Sequence, residues 1–223
     1  MADSTRLELE PQQRPRRSHA ERRAETRAKI IDAVVESIAD VGFQGTTSSE
    51  ITRRAGVTWG AVQHHFGGKD GMLMAVLEDS FNRFAERIEQ IPVDATSIDE
   101  RAALFVERAW AHFSSRYYRA TFEILLCYVR LEHSGPDGPG STHDDSASWQ
   151  SRMTQAWDEV WSRLFADARV SRKRSLILQR YTVSVLSGLG STTVLAGDDA
   201  ADVRQELTLL TETIRRELSG DAG

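Results

Sequence analysis

Apolar residues recur along most of this chain at the three-and-four spacing of amphipathic helices, and no stretch alternates as a strand would. From Ala20 to Val41 the stripe is Ile31, Val34, Val35 and Ile38, with Gly42 as its stop and Phe43 packed beyond it. Thr46 to Lys69 carries two shorter stripes, Ile51 with Ala55 and Val62 with Phe66, separated by Gly56. Met72, Leu73, Val76, Phe81, Phe84 and Ile88 then hold one period as far as Pro92, and 92–96 is a break. Beyond it the pattern predicts helices over Ile98–Ser115, Tyr117–Glu132, Ser148–Ala168, Arg172–Ala196 and Ala200–Leu218. Ser134–Ser146, with three Gly and two Pro, reads as a loop. Arg172–Ala196 is apolar on nearly every side, which predicts burial on several sides. The fold class is all-α.

The stretch from Thr46 to Lys69 organises the rest. Thr47 and Glu50 have the spacing of a capping box, in which each side chain satisfies the other's backbone N–H. Gly56 supplies the left-handed residue that ends the first short helix, and Thr58 is a natural N-cap for the second. With Val62 and Phe66 inward, Trp59, Gly60, Gln63 and His64 face out. Two capped helices around a glycine turn, the second with a polar outer face, predict a helix-turn-helix.

Charge sharpens this. The chain of 223 residues carries a formal net charge of −5, the wrong sign for a nucleic-acid binder until it is divided. Residues 11–69 hold 10 Lys and Arg against 6 Asp and Glu, while the remainder holds 18 against 27. The positive surplus lies where phosphates would be met. It includes Arg14, Arg16, Arg17, Arg22, Arg23, Arg27 and Lys29, with His19 when protonated. Residues 1–19 read as a flexible basic arm, because Pro11 and Pro15 interrupt a segment without apolar period. Such an arm is either a solvated tail or a minor-groove contact. A mean hydropathy of −0.42, no apolar run of 18 residues and a charged N-terminus predict a cytoplasmic protein without a membrane span or secretory signal. The single cysteine, Cys127, excludes an internal disulfide framework.

The pattern Ala33, Ile38, Gly42-Phe43, Thr46-Thr47, Ile51, Ala55-Gly56-Val57-Thr58, Gly60-Ala61-Val62, His65-Phe66, Lys69-Asp70 and Leu73 resembles the N-terminal domain of the TetR family of transcriptional regulators. The resemblance covers Glu25 to Ile91. It implies a three-helix DNA-binding domain over 20–70 and a larger helical ligand-binding and dimerisation domain over 71–223, with 71–91 as connecting helix. It also implies that Ser48, Ser49, Thr58, Trp59, Gly60, Ala61, Gln63, His64, His65 and Lys69 meet a double-stranded operator. Gln63 departs from the tyrosine usual at that position, and Trp59 is also unusual, so no operator sequence carries over.

The C-terminal region is dense in aromatic residues, and such stripes are ordinarily core. A domain that holds a small molecule also needs a mainly apolar cavity. Trp110, Phe113, Tyr117, Phe122, Leu126, Trp157, Trp161 and Tyr181 are the candidate lining, with His112, Tyr117, Glu123 and Arg130 as candidate polar groups. Val203, Leu207, Leu210, Ile214 and Leu218 form a seam on the last predicted helix. Beside it, Ser184, Ser187, Gly188, Gly190 and Ser191 would let helices approach closely. By the resemblance, the last two helices form a homodimer interface.

The expectation is a repressor, released from its operator by a bulky, mainly apolar effector. No cofactor, no metal and no enzymatic activity are expected. The chain lacks a Gly-rich phosphate loop, Cys-x-x-Cys and His-Glu-x-x-His. Adjacent His64 and His65 point apart on a helix; His133 and His143, with Asp144 and Asp145, bracket the loop as a remote metal candidate. The alternatives are a helical small-molecule binding protein with no DNA-binding activity, which would show no salt-dependent association with duplex, and a helical enzyme using the aromatic pocket.

Overall fold

The computed structural model describes residues 18–94, 96–132, 143–196 and 202–220. Residues 1–17 of the arm read at 1–19, His133, most of the predicted loop and the tail after Gly220 lie outside the described residues, as do the side chains of Arg130, His143, Asp144, Asp145 and Trp149; Ser18 and His19, read as part of that arm, instead cap and begin the first helix. Helices follow one another throughout: α1 (His19–Gly45), α2 (Ser48–Ala55), α3 (Trp59–Phe66), α4 (Lys69–Glu89), α5 (Ile98–Phe113), α6 (Arg116–Glu132), α7 (His143–Leu164), α8 (Arg172–Ala196) and α9 (Arg204–Ser219). No strand occurs among the described residues, and no helix there is long and apolar enough to cross a membrane.

Local chemistry sets the boundaries. Ser18 caps α1, accepting from the Glu21 N–H at 3.1 Å while the Glu21 carboxylate accepts from the Ser18 N–H at 2.7 Å. Ser97 and Glu100 repeat the arrangement at α5. Both are Ser-x-x-Glu boxes that the apolar stripes alone do not reveal. At Gly42 (φ 73°, ψ 169°) the backbone leaves helical geometry and kinks, and the helix resumes to Gly45. That conformation suits glycine, which has no Cβ to clash. The helix α7 starts at His143, ahead of the predicted Ser148. The three Gly and two Pro before His143 set no limit beyond it.

Two apolar clusters result. One gathers Ile30, Ile31, Val34 and Ile38 of α1 with Ile51, Val62 and the first half of α4. It also takes Ala120 and Ile124 from α6. The other packs Phe84 and Ile88 of α4 against Phe105, Phe113, Trp161, Leu164, Leu186, Leu210 and Ile214. Thus α4 and α6 both span the two clusters, whereas the apolar pattern pointed to α4 alone as the link. The 92–96 break is pinned from inside: buried Arg101 donates to the Val93 and Thr96 carbonyls and, through Nη2, to both carboxylate oxygens of Asp167.

Candidate functional site

The two short helices are built as their caps dictate. Thr47 accepts from the Glu50 N–H at 3.2 Å, and Gly56 closes α2 in the left-handed region. Thr58 accepts from the Ala61 N–H at 3.3 Å and starts α3. The predicted capping box at Thr47 is only half made. Glu50 turns instead to Arg53 Nη2 at 2.7 Å and Arg54 Nε at 2.6 Å. Two guanidinium groups outcompete one backbone N–H, since each brings a full positive charge to the carboxylate as well as a hydrogen bond. Hydrogen bonds from Arg53 and then Arg54 draw the Glu50 carboxyl down to about 2. Arg54 also reaches Asp40 at 2.5 Å, so much of the positive charge of α2 is compensated within the chain.

On α3, Gly60, Gln63 and His64 are exposed. Trp59 is not the outward residue the spacing predicts: its ring is half-buried against the α1–α4 cluster. A short helix cannot hide its first large aromatic except by folding it back over the core edge. Ala61 and His65 are also partly covered, while Ser48, Ser49 and Thr58 are exposed. The field here is positive. Burial first, then His64, Arg23 and Arg27, holds the His65 imidazole below its ordinary pKa. The Arg27 guanidinium lies 5.3 Å from the Phe66 centroid, and Lys69, first residue of α4, places Nζ 5.6 Å from that of Phe43. These residues share the end of the molecule that carries α2 and α3.

A second feature is a cavity of about 270 Å³ among α4, α5, α6, α7 and α8. Phe113, Phe122 and Trp157 line it, as the aromatic pattern suggests, together with Phe84, Tyr118 and Leu125. Five other candidates lie elsewhere. Trp161 is buried between Phe105 and Phe165, its indole N–H donating to Ser175 at 3.0 Å. Trp110 packs beside the same cluster without reaching the cavity. Tyr117 faces the other way, its hydroxyl donating to Asp32 and its ring under the Arg83 guanidinium at 4.4 Å. Burial, then the Asp32 bond, raises the Tyr117 phenol well above its ordinary pKa. Leu126 and Tyr181 are exposed. An α6 stripe read from sequence alone cannot say which neighbour each side of the helix meets. Glu123, another candidate polar group, spans to α1 instead, accepting from the Phe43 N–H at 2.7 Å and Arg119 Nε at 3.2 Å.

The cavity's polar groups are few. His112 is one: burial and then Arg87 pull its imidazole down to about 4, so it is neutral at pH 7. Ser80, Tyr118, Thr121 and Ser187 supply hydroxyls. Ser80 had a legible signal, a polar residue interrupting the inward Val76–Phe84 stripe.

The last two helices expose an apolar face. Ile177 and Tyr181 of α8 and Leu209 of α9, the latter 61% accessible, are uncovered in the single chain. The predicted seam turns inward instead: Leu210, Ile214 and Leu218 are buried in the chain's own core. A seam of period 3.5 reads the same whichever neighbour it packs on. Gly190 is likewise internal, where a Cβ would meet the Phe113 carbonyl at 2.6 Å, but nothing lies within 4 Å of one at Gly188.

Residues 30–76 match the sequence pattern described as bacterial regulatory proteins, tetR family. Over this segment the chain matches the TetR family, and it is a DNA-binding transcriptional regulator. It is 26% identical over 200 residues to the HTH-type transcriptional regulator BetI of Cronobacter sakazakii, covering 88% of this chain and 92% of that one. The fatty acid metabolism regulator protein of Bacillus subtilis is 33% identical over 86 residues, which span 39% of this chain and 43% of the relative. The solved structure of the transcriptional regulator FadR from Bacillus subtilis in complex with stearoyl-CoA superposes with a TM-score of 0.59 at 17% identity, covering 86% of this chain and 98% of that one. At that identity the likeness concerns the fold.

Proposed function

We propose that this TetR-family protein is a homodimeric repressor in which residues 20–70 read the operator and residues 71–223 bind the effector and the second subunit. The observation that carries this is α3: a capped helix whose exposed Gly60, Gln63 and His64 face solvent within a positive field. Gln63 reads a base, since its amide can pair bidentately with adenine N6 and N7. Ser48, Ser49, Thr58, His64, His65 and Lys69 hold the backbone, and Trp59 and Ala61 shape the edge of the contact. The exposed face of Ile177, Tyr181 and Leu209 takes the same face of a second copy, and Gly188 permits close approach. The aromatic cavity takes a mainly apolar effector. At about 270 Å³ it falls just below the roughly 300–1,000 Å³ of ordinary ligand sites, which suits a compact effector.

An effector acts here only by binding better to the arrangement in which the two reading heads are wrongly spaced for their half-sites. The test is Gln63→Ala against a duplex recovered by selection from genomic fragments. A loss of about 1–3 kcal/mol confined to one base position per half-site is expected. Equal loss on selected and random duplex removes Gln63 as the reader.

A further inference from the structure

The cavity also bears on the chemistry of its occupant. Ser80 is 1% exposed, lines the cavity from α4, and its hydroxyl has no hydrogen-bond partner. That is unlike most serines and threonines on these helices. Thr121, Thr182, Ser184 and Ser191 each donate to a carbonyl three or four residues back. Tyr118, also in the lining, has its hydroxyl engaged by Ser187 and Ser191. An unpaired buried hydroxyl carries the full desolvation cost of its group, so a partner arriving with a ligand would be rewarded. One turn further along α4, the Phe84 ring lies 5.3 Å from the His112 ring at an interplanar angle of 56°, and His112 also faces the cavity. A neutral imidazole offers one donor and one acceptor. Among the described residues lining the cavity there is no Asp, Glu, Lys or Arg.

We infer that the effector is an uncharged amphiphile, with a compact apolar body against Phe113, Phe122 and Trp157 and a single hydroxyl or carbonyl head received by Ser80 and His112. This rests on the reading of the cavity as the effector site. A charged head would be buried without a counter-ion, which is far costlier than burying a hydrogen-bonded neutral oxygen. His112 is a poor substitute counter-ion. Protonating at pH 7 a group that titrates near 4 forfeits about a thousandfold in affinity. A carbonyl accepts from the Ser80 hydroxyl; an alcohol can accept from it or donate to it.

The experiment is calorimetric titration of the full-length protein with five probes sharing one body: 4-phenylbutan-1-ol, 4-phenylbutan-2-one, 4-phenylbutanoate, 4-phenylbutylammonium and butylbenzene. The alcohol and ketone should bind at least tenfold tighter than either ion. Ser80→Ala should weaken the alcohol and ketone roughly five- to tenfold, as expected for one neutral hydrogen bond, and leave butylbenzene within about twofold. Removing an unpaired hydroxyl should not unfold the protein; Ser80→Cys, similar in size but a weak donor, gives the same comparison. If an ion binds as tightly as the alcohol, or if Ser80→Ala and Ser80→Cys affect alcohol and butylbenzene alike, the neutral head is refuted and the cavity reading stands. If no probe binds, butylbenzene included, the cavity is not the effector site and both fall.

Discussion

Removing the Glu123 carboxylate should loosen α1 and the short helices after it from α6. Gly42 breaks α1, and the amide of the next residue, Phe43, donates at 2.7 Å to Glu123 of α6, eighty residues away. The other oxygen of Glu123 accepts from Arg119 at 3.2 Å. A hydrogen bond to a charged acceptor contributes about 1.5–3 kcal/mol and a neutral one about 0.5–1.5. Glu123→Gln should therefore cost about 1 kcal/mol of stability, and Glu123→Ala about 2–3, since it leaves the Phe43 N–H unpaired. Amide hydrogen exchange reads the link locally: protection at Phe43 should fall roughly 30- to 150-fold in Glu123→Ala, the same energies expressed as an equilibrium. Affinity for the selected duplex should fall with it, because Phe43 immediately precedes the chain that enters α2. Urea unfolding provides the global control. If stability falls as stated while exchange at Phe43 and duplex affinity stay unchanged, Glu123 only supports the fold and transmission lies in α4.

Three further outcomes follow from named residues. Leu209→Arg should give folded monomers by sedimentation and weaken operator binding, because two half-sites are gripped together; a Leu209→Arg dimer of unchanged affinity refutes the α8–α9 interface. By contrast Leu210→Arg should unfold the chain, since Leu210 is 1% exposed within the core. Stability should fall as pH drops from about 6.5 to about 4, because over that window the unfolded chain carries a proton on His112 that the folded chain refuses. The loss is on the order of 3 kcal/mol, with a smaller contribution of the same sign from His65, and a pH series of urea unfolding on His112→Asn should be correspondingly flatter.

Helix existence was legible wherever an apolar stripe ran for several turns, as in α4, α5 and α9. The short helices α2 and α3 were legible through Thr58 and the glycines, which act locally. What sequence left open was which neighbour a stripe meets. The α6 residues Tyr117, Tyr118 and Phe122 look alike in sequence, yet one binds Asp32 of α1 and the other two face the cavity. The same holds for Leu209 and Leu210, adjacent and both apolar, one outward and one inward. Long-range polar bonds such as Glu123 to Phe43 leave no periodic trace, because only the tertiary packing brings their ends together.

Whether α2 and α3 hold duplex DNA is tested most directly by binding of selected duplex as a function of salt. Each neutralised phosphate adds about 0.9 to the slope of log affinity on log salt. A dimer making roughly 6–10 phosphate contacts should lose about a thousandfold or more between 50 and 200 mM salt, and Lys69→Ala should reduce the slope by about one per subunit. Absence of salt-dependent binding to any duplex would contradict the account.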